Sequence, residues 1–285
     1  MYIPDRFLQT VSVHLIKNIL DVEDWHAPLL LGINGPPGEG KTFMCESTLE
    51  HLGVRPFLIS GGQLESADAG QPAALLREMY LAAGRAILQN DAPMAAVLIN
   101  DFDTGVGNWG KLVQFTVNTQ QLFAELMHLA DYPKIVENKP TLRIPIIITG
   151  NNFASLHQPL LRTGRMWLFE WKPTPQERIG IVREIFPMLL AKEVDLLVLD
   201  HFPNQPVSFF AHVKSTLLDE YVWTLVQKYG ISHVIPSIRR AGPMKISTLP
   251  PLLGDIVSAG RKLCEESKLD NFIASAMGAR DGDIH

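Results

Sequence analysis

The stretch Leu29-Leu30-Leu31-Gly32-Ile33-Asn34-Gly35-Pro36-Pro37-Gly38-Glu39-Gly40-Lys41-Thr42 decides the fold. Its apolar half, Leu29 to Ile33, reads as a buried strand. The strand runs into a loop of the form G-x-x-x-x-G-K-[ST], spanning Gly35 to Thr42. Each residue type there has a chemical reason. Glycines let successive backbone N–H groups turn inward and cradle phosphate oxygens. Lys41 places a point charge on the outer phosphates, and the Thr42 hydroxyl is a ligand for Mg²⁺. Thr42 to Leu52 reads as a helix closed by Gly53, and its positive end faces the anion. The strand before and the helix after separate this reading from that of a glycine-rich turn with an accidental Lys-Thr. Gly35, Pro36, Pro37, Gly38, Glu39, Gly40, Lys41 and Thr42 are therefore the predicted nucleotide-binding residues.

Outward from this loop the pattern alternates. Phe7 to Leu20 carries Phe7, Leu8, Val11, Leu15, Ile16 and Ile19 at helical spacing. Phe57 to Ser60, Ala95 to Ile99, Ile144 to Thr149 and Trp167 to Trp171 read as four further buried strands. Helical stretches separate them, notably Pro72 to Gln89 and Val117 to Ala130. Alternation of this kind predicts a mostly parallel, five-stranded α/β sheet flanked by helices. Ligands of such sheets bind at the carboxyl ends of the strands, and the motifs are expected to fall there. At Pro173-Thr174-Pro175 the pattern changes. Thr174 and Glu177 match a capping box, with Pro175 at the first helical position. From there the sequence reads as helical, with prolines as punctuation. The expected division is a nucleotide-binding α/β part over residues 1–172 and a small helical part over 173–285, with Gly278 to His285 as a fraying tail.

Two more strand ends carry polar residues. Ala95 to Ile99 leads into Asn100-Asp101-Phe102-Asp103. An apolar strand ending in carboxylates is where a P-loop ATPase holds Mg²⁺ through water and polarises the attacking water. The usual Asp-Glu pair is replaced here by Asn100-Asp101, and the division of those two roles at Asp101 stays open. The competing reading is a solvated turn. Ile146 to Thr149 leads into Gly150-Asn151-Asn152, where an amide is placed to hold the lytic water near the γ-phosphate. Asn151 is the preferred residue, against a turn-forming Asn-Asn pair. Finally, Leu160-Leu161-Arg162-Thr163-Gly164-Arg165 sets two arginines around a glycine. In an oligomeric ATPase such arginines reach into a neighbour's site and stabilise charge developing in phosphoryl transfer. ATP and Mg²⁺ are the expected cofactors. Asp101, Asn100, Asn151, Arg162 and Arg165 are the predicted catalytic residues, and Thr42 and Asp101 the predicted Mg²⁺ site.

Bulk composition bounds the remaining classes. Of 285 residues, 46% are hydrophobic and 19% charged, enough apolar material for a core. The formal net charge of −5 points neither to nucleic acid nor to an anionic membrane. Two cysteines, Cys45 and Cys264, do not make a disulfide scaffold. Nine scattered histidines show no metal-ligand spacing. No run approaches the about 18 apolar residues of a membrane span, and the N-terminus is not that of a signal peptide. A cytoplasmic protein is expected.

The motifs are generic to AAA+ proteins, and longer strings narrow the resemblance. Ser60-Gly61-Gly62-Gln63-Leu64-Glu65-Ser66-Ala67-Asp68-Ala69-Gly70-Gln71-Pro72-Ala73 resembles the pore-loop region of Rubisco activases. So do Ile99-Asn100-Asp101-Phe102-Asp103-Thr104-Gly105-Val106-Gly107, Gln114 to Gln120, and Ile146 to Phe153. Arg162 to Met166 and the opening Tyr2-Ile3-Pro4 fit the same pattern. The resemblance is strong from Tyr2 to Phe186 and weak beyond. It implies an AAA+ fold in a homohexameric ring whose pore uses ATP to pull on Rubisco and release an inhibitory sugar phosphate, in the cytoplasm or associated with carboxysomes. It implies a first pore loop near Leu64 to Gly70 and a second near Thr104 to Lys111. There Trp109 either grips the client or anchors the loop. Gln63 departs from the family in standing where an acid is expected. The lid arginine that senses nucleotide falls on Arg239 or Arg240. Neither a plant-type N-terminal extension nor a domain like the Rubisco small subunit is seen, which points to a cyanobacterial or other bacterial source, with an excised ATPase core as the other reading. Two alternatives remain: a nucleotide-binding scaffold that organises Rubisco without reactivating it, and a remodeller of another client.

Overall fold

The computed structural model describes residues 1–20, 27–64, 68, 70–103, 117–241 and 251–281. Its internal contacts divide the chain into two units, Ile3–Lys172 and Pro173–His285, the latter joined by Met1–Tyr2.

In the first unit, helix α1 (Asp5–Leu20) buries Phe7, Val11, His14, Leu15 and Asn18 on one stripe. The strands are β1 (Leu30–Asn34), β2 (Arg55–Ser60), β3 (Ala95–Asn100), the two-residue β4 (Ile135–Val136) and β5 (Lys139–Pro140), β6 (Ile146–Gly150) and β7 (Met166–Glu170). Five of them form one sheet in the order β2-β3-β6-β1-β7, every pairing parallel. The register aligns Asn34 with both Gly150 and Glu170 and Ser60 with Asn100. All five strands therefore end on one side, and β1 lies inside the sheet with its trailing loop at that edge.

Helices α2 (Lys41–His51), α3 (Gln71–Leu88) and α4 (Val117–Asp131) cover the sheet. Against one sheet face, α3 and α4 bury Leu76, Tyr80, Ala83, Leu122, Leu126 and Leu129 on Ile59, Val97, Ile99, Ile146 and Ile148. The Tyr80 hydroxyl donates to the Pro133 carbonyl at 2.7 Å and accepts from the Ile144 N–H at 3.0 Å. Burial pushes its phenol up to about 12. At the other side Phe7 meets Trp171 edge-on at 4.9 Å, and the Arg6 guanidinium lies 4.7 Å from the Trp171 ring centre.

The sequence reading of five buried strands needs one correction. Strands β2 and β7 are the sheet edges, and Leu58 and Leu168 are 46% and 47% exposed. An edge strand has a neighbour on one side alone, so its side chains are less fully covered. The β4–β5 hairpin was not anticipated, because strands of two residues carry no period.

The second unit is helical among its described residues. Its first helix, α5 (Pro175–Ile185), starts with the expected capping box. Thr174 N donates to Glu177 Oε2 at 2.7 Å and Glu177 N donates to Thr174 Oγ1 at 3.3 Å. Helix α6 (Ala191–Asp195) passes into a π-helical segment, Leu196–His201, and then come α7 (Val207–Tyr229), α8 (Ile231–Ala241) and α9 (Leu253–Asp281). Val182, Phe186, Val194, Leu197, Phe210, Val213 and Ile256 make the core. Helix α9 continues to Asp281, so the tail expected from Gly278 is helical through that residue.

Candidate functional site

The loop after β1 is shaped by its glycines. Gly38 and Gly40 have φ of 78° and 73°, the left-handed region open to residues without a Cβ. At Gly35 a Cβ would collide with the Trp171 carbonyl, so the loop is held tightly against the end of β7. Lys41, the first residue of α2, is buried. Its Nζ donates to Gly35 O at 2.7 Å, Pro36 O at 2.9 Å and Asn151 Oδ1 at 2.8 Å. Burial lowers the Lys41 pKa, while the charges of Asp101, Asp103 and Glu39 pull it back up. Thr42 follows at the amino end of the same helix.

The acidic end of β3 is tied to β6. Thr149, fully buried, accepts the Asp101 N–H at 3.1 Å through Oγ1 and donates to Asn100 Oδ1 at 3.4 Å. Asp101 has φ of 51°. Two residues on, Asp103 is 5% exposed. Its Oδ2 accepts the N–H groups of Asn151 and Asn152, both at 2.9 Å. Its Oδ1 is buried with no hydrogen-bond partner among the described residues. Asn34 closes the group from below. It donates to Glu170 Oε2 at 2.7 Å and accepts the Phe153 N–H at 3.0 Å, linking the ends of β1, β6 and β7.

The structure thus brings Lys41, Asn151, Asp101 and Asn100 into one group. It does not bring the arginines there. Arg162 and Arg165 precede β7 and lie by Met166, which pairs with Leu30 at the start of β1. From Met166 to Glu170 the strand rises about 13 Å. The arginine motif therefore sits at the amino ends of the strands, a correction to the expectation that all motifs fall at carboxyl ends. The two differ in their ties. Arg165 donates from Nε and Nη2 to the Asp131 carboxylate at 2.9 and 2.7 Å, and from Nη1 to Pro159 O at 3.0 Å. That bond holds the Asp131 pKa below the usual carboxylate range and raises that of Arg165. Arg162 is exposed.

Sequence reasoning missed Asn34, Thr149, Asp103 as a buried group, and Asp131. A polar residue closing an apolar strand just before a phosphate loop could have flagged Asn34. A carboxylate two residues past a strand end could have flagged Asp103. Asp131 carries no local signal.

Of the first pore-loop segment, Leu64, Asp68 and Gly70 are described. There the Gly70 N–H donates to Asn118 Oδ1 at 2.8 Å and Asn118 Nδ2 donates to Asp68 O at 3.1 Å. Gln63 turns onto its own chain, accepting the Ser60 N–H at 2.9 Å. The second segment, Thr104 to Lys111 with Trp109, lies outside the described residues, as do Gln114 to Thr116. Arg239 and Arg240 lie in α8, and Arg240 Nε donates to Pro236 O at 3.3 Å. Among the described residues no cluster of three His, Cys, Asp or Glu could hold a metal, and no helix is long and apolar enough to cross a membrane.

A loop of the form G-x-x-x-x-G-K-[ST] between a strand and a helix, on a sheet of order β2-β3-β6-β1-β7, defines the class. Residues 31–173 match the model of the ATPase family associated with various cellular activities (AAA). Residues 175–267 match the helical AAA part of ribulose bisphosphate carboxylase/oxygenase activase, well past the point where the sequence resemblance faded. An Anabaena sp. ribulose bisphosphate carboxylase/oxygenase activase is 43% identical over 241 residues, 82% of this chain and 58% of the relative. One from Nostoc sp. is 38% identical over 281 residues, 95% of this chain and 67% of the relative. A chloroplastic one from Arabidopsis thaliana is 39% identical over 240 residues, 82% of this chain and 50% of the relative. The chain belongs to the Rubisco activase family of AAA ATPases, and it spans between half and two thirds of the length of these relatives.

Proposed function

We propose that the chain hydrolyses ATP and uses the energy to remodel Rubisco, releasing inhibitory sugar phosphates from its active sites. The observation that carries the ATP part is the setting of Lys41. Its buried ammonium is held by two carbonyls and one amide oxygen, all of which phosphate oxygens can replace. The residues fit a nucleoside triphosphate with Mg²⁺. Left-handed Gly38 and Gly40 turn the loop amides toward an anion, and Thr42 and Asp101 are the residues that would hold the metal, Asp101 through water. Mg²⁺, when bound, neutralises charge on the phosphates. Asn100 and Asp101 orient and polarise the attacking water, and Asn151, once Lys41 turns to the phosphates, holds it in line. Arg162 acts on the nucleotide of a neighbouring copy, a reading supported by its exposure and by its place at the far end of the strands. Arg165 holds the turn that presents it.

This reading makes the working form a homo-oligomeric ring, a hexamer, in the cytoplasm, either free or associated with carboxysomes. It assigns no nucleic acid or membrane partner. Support for Rubisco as client comes from the relatives named as activases, including a chloroplastic one from Nicotiana tabacum whose similarity runs over 94% of this chain.

The test is recovery of carboxylation by sugar-phosphate-inhibited Rubisco of the same source. Addition of the protein with ATP should restore activity, and Lys41→Ala should neither bind nucleotide nor restore it. Hydrolysis without recovery would leave an ATPase that scaffolds Rubisco or serves another client. Undiminished turnover by Lys41→Ala would remove the assigned nucleotide site.

A further inference from the structure

Asp103 is set apart from the other acids of the site. It lies three residues past β3, yet it is 5% exposed and its carboxylate bonds the backbone that follows a different strand. One oxygen takes the N–H groups of Asn151 and Asn152 at 2.9 Å each. These are consecutive amides just past β6, and two bonds from one carboxylate oxygen fix the orientation of both peptide planes. The Asn151 side chain then accepts the Lys41 ammonium at 2.8 Å. A continuous chain runs from the acidic strand end, through the sensor backbone, to the phosphate-loop lysine. The approach is close, because a Cβ at Gly150 would lie 2.8 Å from Asp103 Oδ1. That oxygen has no hydrogen-bond partner among the described residues.

We propose that Asp103 is a positioning residue for ATP hydrolysis: it latches the Asn151-Asn152 backbone so that the Asn151 amide faces the phosphate loop. It acts through hydrogen bonding and not by touching nucleotide or metal. The proposal rests on the reading of this group as an ATPase site. Misplacement of a catalytic group by about 1 Å can cost on the order of 10²-fold in rate, and loss of the latch acts on kcat and leaves KM for ATP near its wild-type value. The carbonyl oxygen of an asparagine can accept the same two amides, so Asp103→Asn keeps the latch while removing the charge.

The experiment pairs two readouts on the full chain: hydrogen exchange of the Asn151 and Asn152 amides without nucleotide, and steady-state ATP hydrolysis. Asp103→Ala should speed exchange of both amides by about tenfold or more and lower kcat by about 10²-fold, and Asp103→Asn should recover most of both losses. In every folded variant at this position, protection and turnover should rise and fall together. A variant that keeps protected amides and loses turnover would show the charge itself at work, and one that loses protection but turns over normally would show the latch to be idle. Either result overturns the proposal. If the wild-type protein fails to hydrolyse ATP, the ATPase reading falls, while the exchange arm still reads the latch directly.

Discussion

The carboxyl ends of β1, β3 and β6 bury polar side chains, whereas α7 and α8 expose apolar ones. At the strand ends Lys41, Asp103 and Thr149 are 5%, 5% and 0% exposed, and each is hydrogen-bonded to a group on another element. On the outer helices Trp223, Ile231 and Ile235 are 61%, 61% and 47% exposed. A buried polar group is tolerable when it is bonded, so each one at the strand ends constrains the next, and the arrangement can be read within one chain. An exposed apolar group constrains nothing. The difference separates a region whose chemistry is written in internal bonds from one whose outer faces are free of the fold.

The largest effect that could break this contrast concerns the arginines. Arg162→Ala should lower steady-state ATP turnover of the assembled protein by about 10³–10⁵-fold with nucleotide binding retained. Arg165→Ala should cost less, because Asp131 and Pro159 engage all three of its nitrogens. Equal losses, with thermal stability unchanged, would erase the division of labour between them. Next, within the helical unit, Phe210 lies in the core, and Phe210→Ala should destabilise by about 3–5 kcal/mol in chemical denaturation.

An intermediate effect comes from His14. Burial first, then the charges of Arg143 and Lys17, depress its pKa from 6.5 to about 3. Between those values the unfolded chain takes up a proton that the folded chain refuses. Its stabilising contribution is complete above pH 6.5 and falls as pH drops through the interval, by about 1.4 kcal/mol per pH unit. The denaturation midpoint should fall between pH 6.5 and 5 and stay flat there in His14→Gln; a slope that survives the substitution would place its source elsewhere. The smallest expected change is Ile235→Ser on α8, within about 0.5 kcal/mol. A loss as large as that of Phe210→Ala would mean that this face is part of the fold.

What the sequence made legible is what local pattern encodes. The strand before Gly35, the helix after it, the alternation of strands and helices and the Thr174 capping box all rest on neighbours a few residues apart. That the loop Gly35 to Thr42 and Asn151 follow neighbouring strands was legible from the apolar runs before them. What stayed hidden depends on contacts between distant positions. Asp103 meets Asn151 across 48 residues and Arg165 meets Asp131 across 34, and no periodicity announces such pairs. The exposure of Leu58 and Leu168 followed from strand order, which hydropathy does not report.

The left-handed backbone at Asp101, φ 51°, limits what this position can become. Most residues with a Cβ are strained in that region, and aspartate and asparagine are among the best tolerated. Glycine fits the backbone but brings no carboxylate. The exchange that side-chain chemistry alone would call most conservative, Asp101→Glu, is therefore a poor one here: it restores the acid usual at the second position and sets a longer chain on a backbone that disfavours it. Drift or engineering at this position is steered by main-chain geometry as well as by side-chain chemistry, and aspartate is an acid that this backbone accepts.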